Sequence, residues 1–246
     1  MKTISLEEVT DYVSQHIGNF HKSRITRVQT MKLKDVLKKK NPYLFRAKNI
    51  LTAQGLIESL LQAYLSSSEE TLFGQFLEEL AIFVAGKTLS GRKSPGTGID
   101  LEFTKDRVVY LVSIKSGGNW GNKSQKDALR DRFKKAVQVL KQSRSVGAVQ
   151  PMLAFCYGRS KSTNNGEYLR ICGQEFWYFI SGNTNLYTDI IEPLGHQAKQ
   201  HNQQYEEELA AVINKFTADF SKEFCVDGRI NWNKLVQFNS GNLKST

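Results

Sequence analysis

Apolar residues recur at helical spacing through the first ninety residues of the chain. The segment LIESLLQAYL, which ends at Leu65, places its leucine and tyrosine side chains three and four positions apart and predicts an amphipathic helix. The following segment, residues 66–86, carries Ser67 three positions before Glu70 and then a second apolar stripe. A serine followed three residues later by a glutamate is typical of a helix start, and Gly86 is typical of a helix end, so a separate helix is predicted there.

After residue 90 the pattern changes to short apolar runs. The segment SGRKSPGTG predicts a loop, and two strands follow it, IDLEF and RVVYLVSIK, joined by a turn around residues 104–106. Helices are predicted over about 125–142 and about 200–222, because apolar residues repeat there at helical spacing. Three aromatic-rich segments between these helices, MLAFCYG, EYLRIC and EFWYFIS, are predicted strands.

These elements predict a single α/β domain over residues 1–246, in which helices flank a mixed central β-sheet. Residues 1–90 form a mainly helical arm with the first core helix, and residues 91–246 form the core and the C-terminal elements. No internal repeat or low-complexity linker divides the chain.

The chain is basic, since 34 Lys and Arg against 24 Asp and Glu give a formal net charge of +10. This charge favours a polyanionic partner, nucleic acid or an anionic membrane surface. No apolar stretch approaches the roughly 18–20 residues that span a bilayer, and acids occupy the place of a signal peptide's apolar region. The three cysteines are far apart and form no CxxC pair. We therefore interpret them as reduced packing residues and expect a cytoplasmic protein without membrane contact.

The two predicted strands carry a cluster of polar side chains. Residues two apart share a strand face, so Asp100 and Glu102 point one way, and Ser113 and Lys115 also share a face. If the strands pair as a hairpin, two carboxylates and one ammonium converge. Mg²⁺ prefers oxygen ligands, and phosphodiester hydrolysis needs such a cation together with a group that stabilises charge on the phosphate. The alternative interpretation is a solvent-exposed hairpin face with an incidental ion pair and no catalytic role.

This arrangement resembles the PD-(D/E)XK nuclease superfamily, whose members place an Asp at a strand start and a Glu/Asp-X-Lys on the next strand. The resemblance implies Asp100 as a metal ligand, Lys115 as the catalytic lysine, and the backbone carbonyl of Ile114 as a further metal contact. Two positions depart from the pattern. Ile99 stands where a proline is common, and Ser113 stands where the second acid is expected.

The missing carboxylate has three local candidates. We place Glu102 first and Glu78 second; the latter ends GQFLE, which matches the G-x-x-x-E pattern on the first core helix of several superfamily nucleases. Asp127 and Asp131, on the helix after Lys115, are the third option.

The flanking segments resemble certain bacterial type II restriction endonucleases. SIKSGGNWGN is similar to a segment of that group, as are KKKNPYLFRAKNI, SSEETLFGQFLE and FWYFISGN, so the resemblance extends from about residue 38 to 238. It implies a restriction-endonuclease-like core and a DNA-cleaving activity.

Candidate DNA contacts lie in two basic segments. Glycines after Lys115 let backbone groups approach phosphates, and a basic stripe continues along the next helix. A packed turn and a solvated helix face are the alternative interpretations. The candidate residues are Ser116, Asn119, Trp120, Asn122, Lys123, Gln125, Lys126 and Arg130, with Lys38, Lys39 and Lys40 from the basic N-terminal segment.

Taken together, the sequence predicts a Mg²⁺-dependent type II restriction endonuclease that cleaves double-stranded DNA at a short specific site, with Mn²⁺ able to replace Mg²⁺. A palindromic site favours a homodimer. No Walker A loop, GxSxG or HExxH occurs, so no nucleotide cofactor is expected. The alternatives are a structure-selective repair or junction nuclease and a DNA-binding protein that has lost catalysis.

Overall fold

A computed structural model describes residues 2–143, 147–195 and 197–242 of the chain. The described helices are α1 (Leu6–Gln29), α2 (Leu33–Lys39), α3 (Pro42–Ala47), α4 (Ala53–Leu89), α5 (Lys123–Ser143), α6 (Gln174–Ser181), α7 (Leu186–Asp189), α8 (Ile191–Gly195), α9 (Ala198–Phe224) and α10 (Trp232–Ser240). The described strands are β1 (Arg92–Lys93), β2 (Leu101–Lys105), β3 (Val108–Gly117), β4 (Ala148–Tyr157), β5 (Thr163–Asn164), β6 (Leu169–Cys172), β7 (Cys225–Val226) and β8 (Arg229–Ile230). Nowhere in these ranges is a helix long and apolar enough to cross a membrane.

Six strands form one mixed sheet in the order β1-β2-β3-β4-β6-β5. The pairs β1–β2, β2–β3 and β5–β6 are antiparallel, whereas β3–β4 and β4–β6 are parallel. Helix α5 connects β3 to β4, because parallel neighbours need a long crossover. The predicted mixed sheet with flanking helices is confirmed.

The chain divides into two compact units. The first contains the described residues of 1–17 and 73–196, and the second those of 18–72 and 197–246. In the first unit, one face of the sheet packs on Leu129 and Phe133 of α5. In the second unit, an apolar core forms around α4 and the aromatic side chains of α9, including Phe216 and Phe220. The prediction of a single domain stays a prediction.

The predicted hairpin is present as β2 and β3, with Leu101 opposite Val112 and Lys105 opposite Val108. Its turn lies at Asp106–Arg107, one residue later than predicted, and both residues have positive φ angles of 52° and 65°. Two successive left-handed residues make the tight turn whose twist matches that of the flanking strands. The turn therefore fixes which residues of the two strands face each other.

Residues 174–181 form a helix, α6, so the prediction of a strand for EFWYFIS was wrong. Aromatic residues favour strands on average, but burial here follows helical spacing: Phe176, Trp177 and Ile180 are buried while Tyr178 is half exposed. The indole Nε1 of Trp177 donates to the carbonyl oxygen of Cys156 at 2.8 Å. Packing of this face against β4 therefore outweighs local strand preference.

Helix α4 is continuous from Ala53 to Leu89, so the predicted helix start at Ser67 and the predicted end at Gly86 were both wrong. The Thr71 hydroxyl donates to the Ser67 carbonyl oxygen at 3.1 Å, as it does in the interior of a helix. The helix ends instead at Leu89, and the next residue, Ser90, has a φ of +53°. Buried leucines on both sides of the serine segment carry the helix through it.

Gly173 joins β6 to α6 and is expected to be intolerant of a side chain. Its backbone has φ 55° and ψ −125°, and a Cβ atom there would lie 2.6 Å from the carbonyl oxygen of Gly158. Gly173→Ala should therefore destabilise the protein by about 1–3 kcal/mol. Gly18→Ala, in α1 with no neighbour within 4 Å of the added atom, should stabilise it by about 0.5–1 kcal/mol. Scanning calorimetry should show shifts of opposite sign, and an unshifted Gly173→Ala protein would contradict this description of the β6–α6 junction.

Candidate active site

The side chain of Asp100 is bound to β3 by three donors. Asp100 lies one residue beyond the Leu101–Val112 pair, and its own N–H donates to the Val112 carbonyl oxygen at 2.8 Å. The Oδ2 atom accepts from the Ile114 N–H at 2.6 Å and from the Ser113 hydroxyl at 3.2 Å, and the ammonium of Lys115 lies 3.5 Å away. The hairpin thus fixes both the position and the orientation of this carboxylate.

Lys115 holds its ammonium between two oxygen atoms. Nζ donates to the Ile114 carbonyl oxygen at 2.7 Å and pairs with Asp100 at 3.5 Å. The Lys115 and Asp100 side chains are 25% and 17% exposed, so the pair is mostly buried but remains in contact with solvent. A carboxylate and a carbonyl oxygen therefore converge on one cation, and these are the two oxygen types that Mg²⁺ prefers.

Glu78 of α4 is the second carboxyl group near this pair. Four residues earlier on the same helix, Gly74 approaches β3 so closely that a Cβ atom there would lie 3.4 Å from the Ser116 side chain. Burial raises the pKa of Glu78, and the negative charge of Asp100 raises it further, whereas Lys115 lowers it. The glycine brings α4 against the strand, and the carboxyl one turn later enters the electrostatic field of Asp100 and Lys115.

Glu102 lies on β2 and has a cation of its own. It is 8% exposed, and its Oε1 pairs with the Arg92 guanidinium at 3.0 Å. It also lines a cavity of about 680 Å³, to which α5 contributes Arg132 and Lys135. Glu102 thus has an ion pair with Arg92, and the charge of Asp100 raises the pKa of Glu78.

Ser113 is almost completely buried, with 1% of its surface exposed. Its hydroxyl donates to the same oxygen of Asp100 that the Ile114 N–H contacts. A second carboxylate at this position would face Asp100 at close range and repel it, whereas the hydroxyl orients it. Ser113 thus acts as a buried hydrogen-bond donor to Asp100.

The third candidate acids lie on α5. Asp127 pairs with Arg130 at 2.6 Å, and Asp131 is exposed. Within the described residues, no group of three or more His, Cys, Asp or Glu side chains is arranged to hold a metal ion. Mg²⁺ commonly keeps several waters and binds only one or two protein carboxylates, so such a group is not required for this ion.

The connection from β3 to α5 contains several candidate DNA contacts with local structural roles. Asn122 accepts from the Gln125 N–H at 3.0 Å, and the Gln125 side chain accepts from the Asn122 N–H at 3.0 Å, which forms a reciprocal helix cap. Trp120 packs against the α5 core, with the Lys115 ammonium 5.6 Å from its ring centre. Asn119 is exposed and Ser116 is partly exposed.

The basic stripe on α5 is only partly available to an anion. Lys123 and Lys126 are exposed. Arg130, however, lies within 2.6 Å of Asp127 and 2.8 Å of Glu167, so two carboxylates compensate its charge. Phosphate binding by this helix would therefore depend more on the lysines than on the arginine.

Lys38, Lys39 and Lys40 belong to the second unit. Lys38 lies 5.7 Å from the Phe238 ring centre, and Lys39 and Lys40 lie 5.8 Å and 5.9 Å from that of Tyr64. Lys40 also donates to the Ala63 carbonyl oxygen at 2.8 Å. A concave surface of about 470 Å³ is lined by Arg27, Lys39, Lys40, Tyr64, Ser67, Ser68, Thr71 and Leu72. Its cations and hydroxyl groups suit an anionic ligand.

Arg170 is not among the residues predicted from the sequence, and the strand order brings it to the face of the sheet that carries Ser113. Leu153 pairs with Ser113 on one side and with Arg170 on the other. The sequence signal was a lone arginine in the apolar strand EYLRIC, and its significance depends on a pairing that the sequence does not reveal.

The fold and this site can now be compared with known proteins. The family model described as type II restriction endonuclease EcoO109I matches residues 7–202. Comparison with curated proteins returns no significant match. The matched residues cover most of the chain and include Glu78, Asp100, Lys115 and the whole six-stranded sheet. The resemblance noted in the sequence is thereby confirmed, and the chain belongs to the EcoO109I family of type II restriction endonucleases.

Proposed function

We propose that this protein hydrolyses phosphodiester bonds of double-stranded DNA at a short specific site and requires Mg²⁺, with Mn²⁺ as a substitute. The observation that carries the proposal is the Lys115 ammonium, held between Asp100 Oδ2 and the Ile114 carbonyl oxygen at the edge of the sheet. Family membership supports DNA as the substrate. A short palindromic site would be matched by a two-fold symmetric pair of chains, and we propose a homodimer on that ground.

The proposed ligands of the metal ion are Asp100, the Ile114 carbonyl oxygen and Glu78. A bound divalent cation would supply positive charge to the attacked phosphate and to the attacking water. The chain's own contribution is orientation: Ser113 and the Ile114 N–H hold the Asp100 carboxylate. The Lys115 ammonium stabilises the negative charge that develops on the phosphate oxygens.

Incubation of the purified protein with phage DNA and Mg²⁺ tests the proposal. Discrete fragments on a gel are expected. A smear would indicate a nuclease without site specificity, and a cut confined to branched DNA would indicate a junction nuclease. Unaltered DNA that is nevertheless bound would indicate a protein that has lost catalysis.

Lys115→Ala should slow single-turnover cleavage by about 10²–10³-fold, because it removes a preorganised charge beside the phosphate. DNA binding should stay within about tenfold of wild type, since one phosphate contact contributes only a fraction of the affinity. Lys141→Ala, an exposed lysine in the last turn of α5, is the matched control. Wild-type cleavage by the Lys115→Ala protein would contradict the assignment.

Glu78→Gln and Glu102→Gln should separate the two candidates for the second acid. Each substitution keeps the size of the side chain and removes its charge. Because Glu102 is paired with Arg92 and Glu78 is influenced by Asp100, Glu78→Gln should reduce cleavage nearly as much as Asp100→Asn does. Glu102→Gln should retain most activity and lose about 1 kcal/mol of stability. Single-turnover rates across a range of Mg²⁺ concentrations provide the measurement, and the reverse ranking would make Glu102 the ligand.

The raised pKa of Glu78 predicts a pH dependence of stability. Its folded-state pKa lies above the unfolded value because burial and Asp100 disfavour the ionised form. The penalty for ionisation is therefore absent at low pH and appears as the pH rises through the unfolded and then the folded pKa. Without divalent ions, Glu78→Gln should be more stable than wild type at pH 8, with an advantage that shrinks towards pH 4. Added Mg²⁺ should raise the melting temperature of wild type more than that of the variant, and an equal rise would remove Glu78 from the metal site.

A further inference from the structure

Three parallel strands of the sheet end at glycines on the same edge. Strand β3 ends at Gly117, β4 is followed by Gly158, and β6 is followed by Gly173. A Cβ atom on Gly158 would lie 3.0 Å from the Cys172 sulfur, and one on Gly173 would lie 2.6 Å from the Gly158 carbonyl oxygen. The Tyr157 ring occupies the space that a Cβ atom on Gly117 would fill, so the carboxyl edge of these strands is closely packed. In α/β sheets this is the edge at which ligands bind.

Arg170 lies beside this edge. It is one strand beyond Leu153, which is itself the partner of Ser113, so Arg170 and Ser113 share a face of the sheet. With strands about 4.8 Å apart, their Cα atoms are separated by about 10 Å. The guanidinium carbon lies 5.0 Å from the ring centre of Phe155, the residue opposite Lys115 in the register. Its Nη2 atom is 3.8 Å from the place where a Cβ of Gly118 would be.

Among the residues that the structure describes, no carboxylate forms an ion pair with Arg170, unlike Lys115 and Arg130. Its Nε atom is buried and has no hydrogen-bond partner among the described residues. Arg130 lies against two carboxylates, and Lys115 lies against Asp100. A buried N–H without a partner costs free energy, and a planar guanidinium fork fits a phosphate group. The contact with the Phe155 ring orients the guanidinium of Arg170 before a ligand binds.

We infer that Arg170 binds a phosphate of the DNA strand next to the phosphate attacked at Lys115. The inference rests on the proposed function and adds a substrate-binding residue to it. A Cβ atom on Gly118 would have only the Arg170 guanidinium within 4 Å, so this glycine leaves room for the DNA backbone at this edge, and Arg170 fixes its position there.

The variants Arg170→Met and Arg170→Lys provide the test. Methionine keeps an unbranched apolar chain over Phe155 and removes the charge. Lysine keeps the charge but lacks the planar arrangement of N–H donors that a guanidinium presents. The matched control is Arg107→Asn, which removes one exposed arginine in the β2–β3 turn, at the opposite end of β3 from Lys115. Asparagine tolerates the positive φ at that position.

Binding to a fluorescent duplex cut from phage DNA should be measured across a series of salt concentrations with Ca²⁺. For Arg170→Met we expect the slope of log K against log salt to shrink by about one unit. Arg107→Asn should leave the slope unchanged, and Arg170→Lys should restore it. Cleavage of phage DNA by Arg170→Met should fall about tenfold or more, with only partial recovery in Arg170→Lys, because a point charge does not reproduce the fork.

An unchanged slope in Arg170→Met would overturn the inference, as would an equal loss in Arg107→Asn, which would reveal an effect of net charge alone. The proposed function fails separately: if wild-type protein cuts no DNA with Mg²⁺, catalysis is refuted, while the slopes still decide whether Arg170 contacts a phosphate.

Discussion

The attachment of one carboxylate to the backbone of the neighbouring strand determines the geometry of this site. Asp100 Oδ2 accepts the Ile114 N–H and the Ser113 hydroxyl, and it faces the Lys115 ammonium. A partly buried carboxylate keeps its charge only if such donors replace its lost water. The same contacts orient the Ile114 carbonyl oxygen and the lysine relative to the acid. The hairpin therefore sets the relative positions of the Asp100 carboxylate, the Ile114 carbonyl oxygen and the Lys115 ammonium.

The serine at position 113 follows from this arrangement. Its buried hydroxyl satisfies Asp100, while the carboxyl of Glu78 is brought from a different helix by the close approach of Gly74 to Ser116. The acid supplied from α4 comes from a different element of the fold, and the charge of Asp100 still raises its pKa. The departure from the superfamily pattern is thus compatible with two acids at the site.

Local patterns in the sequence were sufficient for the hairpin, the helix that follows it and the Asp100–Lys115 pair, because residue periodicity determines which side chains share a face. These local patterns gave wrong predictions where tertiary packing determines the secondary structure or the partner of a charged side chain. EFWYFIS is a helix because Trp177 reaches Cys156, and α4 continues through a serine segment because buried leucines flank it. The sequence predicts Arg130 as a phosphate contact, but Glu167, which is distant in the sequence, forms an ion pair with it. Glu102 was placed ahead of Glu78 without the knowledge that Arg92 lies beside Glu102.

The turn at Asp106–Arg107 has a consequence for how this site can change over evolution. It sets the register of β2 against β3, and side chains alternate between faces with each residue. One residue inserted between Asp100 and the turn, or between the turn and Lys115, would place Asp100 and Lys115 on opposite faces of the sheet. Two inserted residues would restore the face but displace the pair along the strand. A change of length within the hairpin would therefore separate the acid from the lysine, so the site depends on the spacing between Asp100 and Lys115 as much as on the two residues themselves.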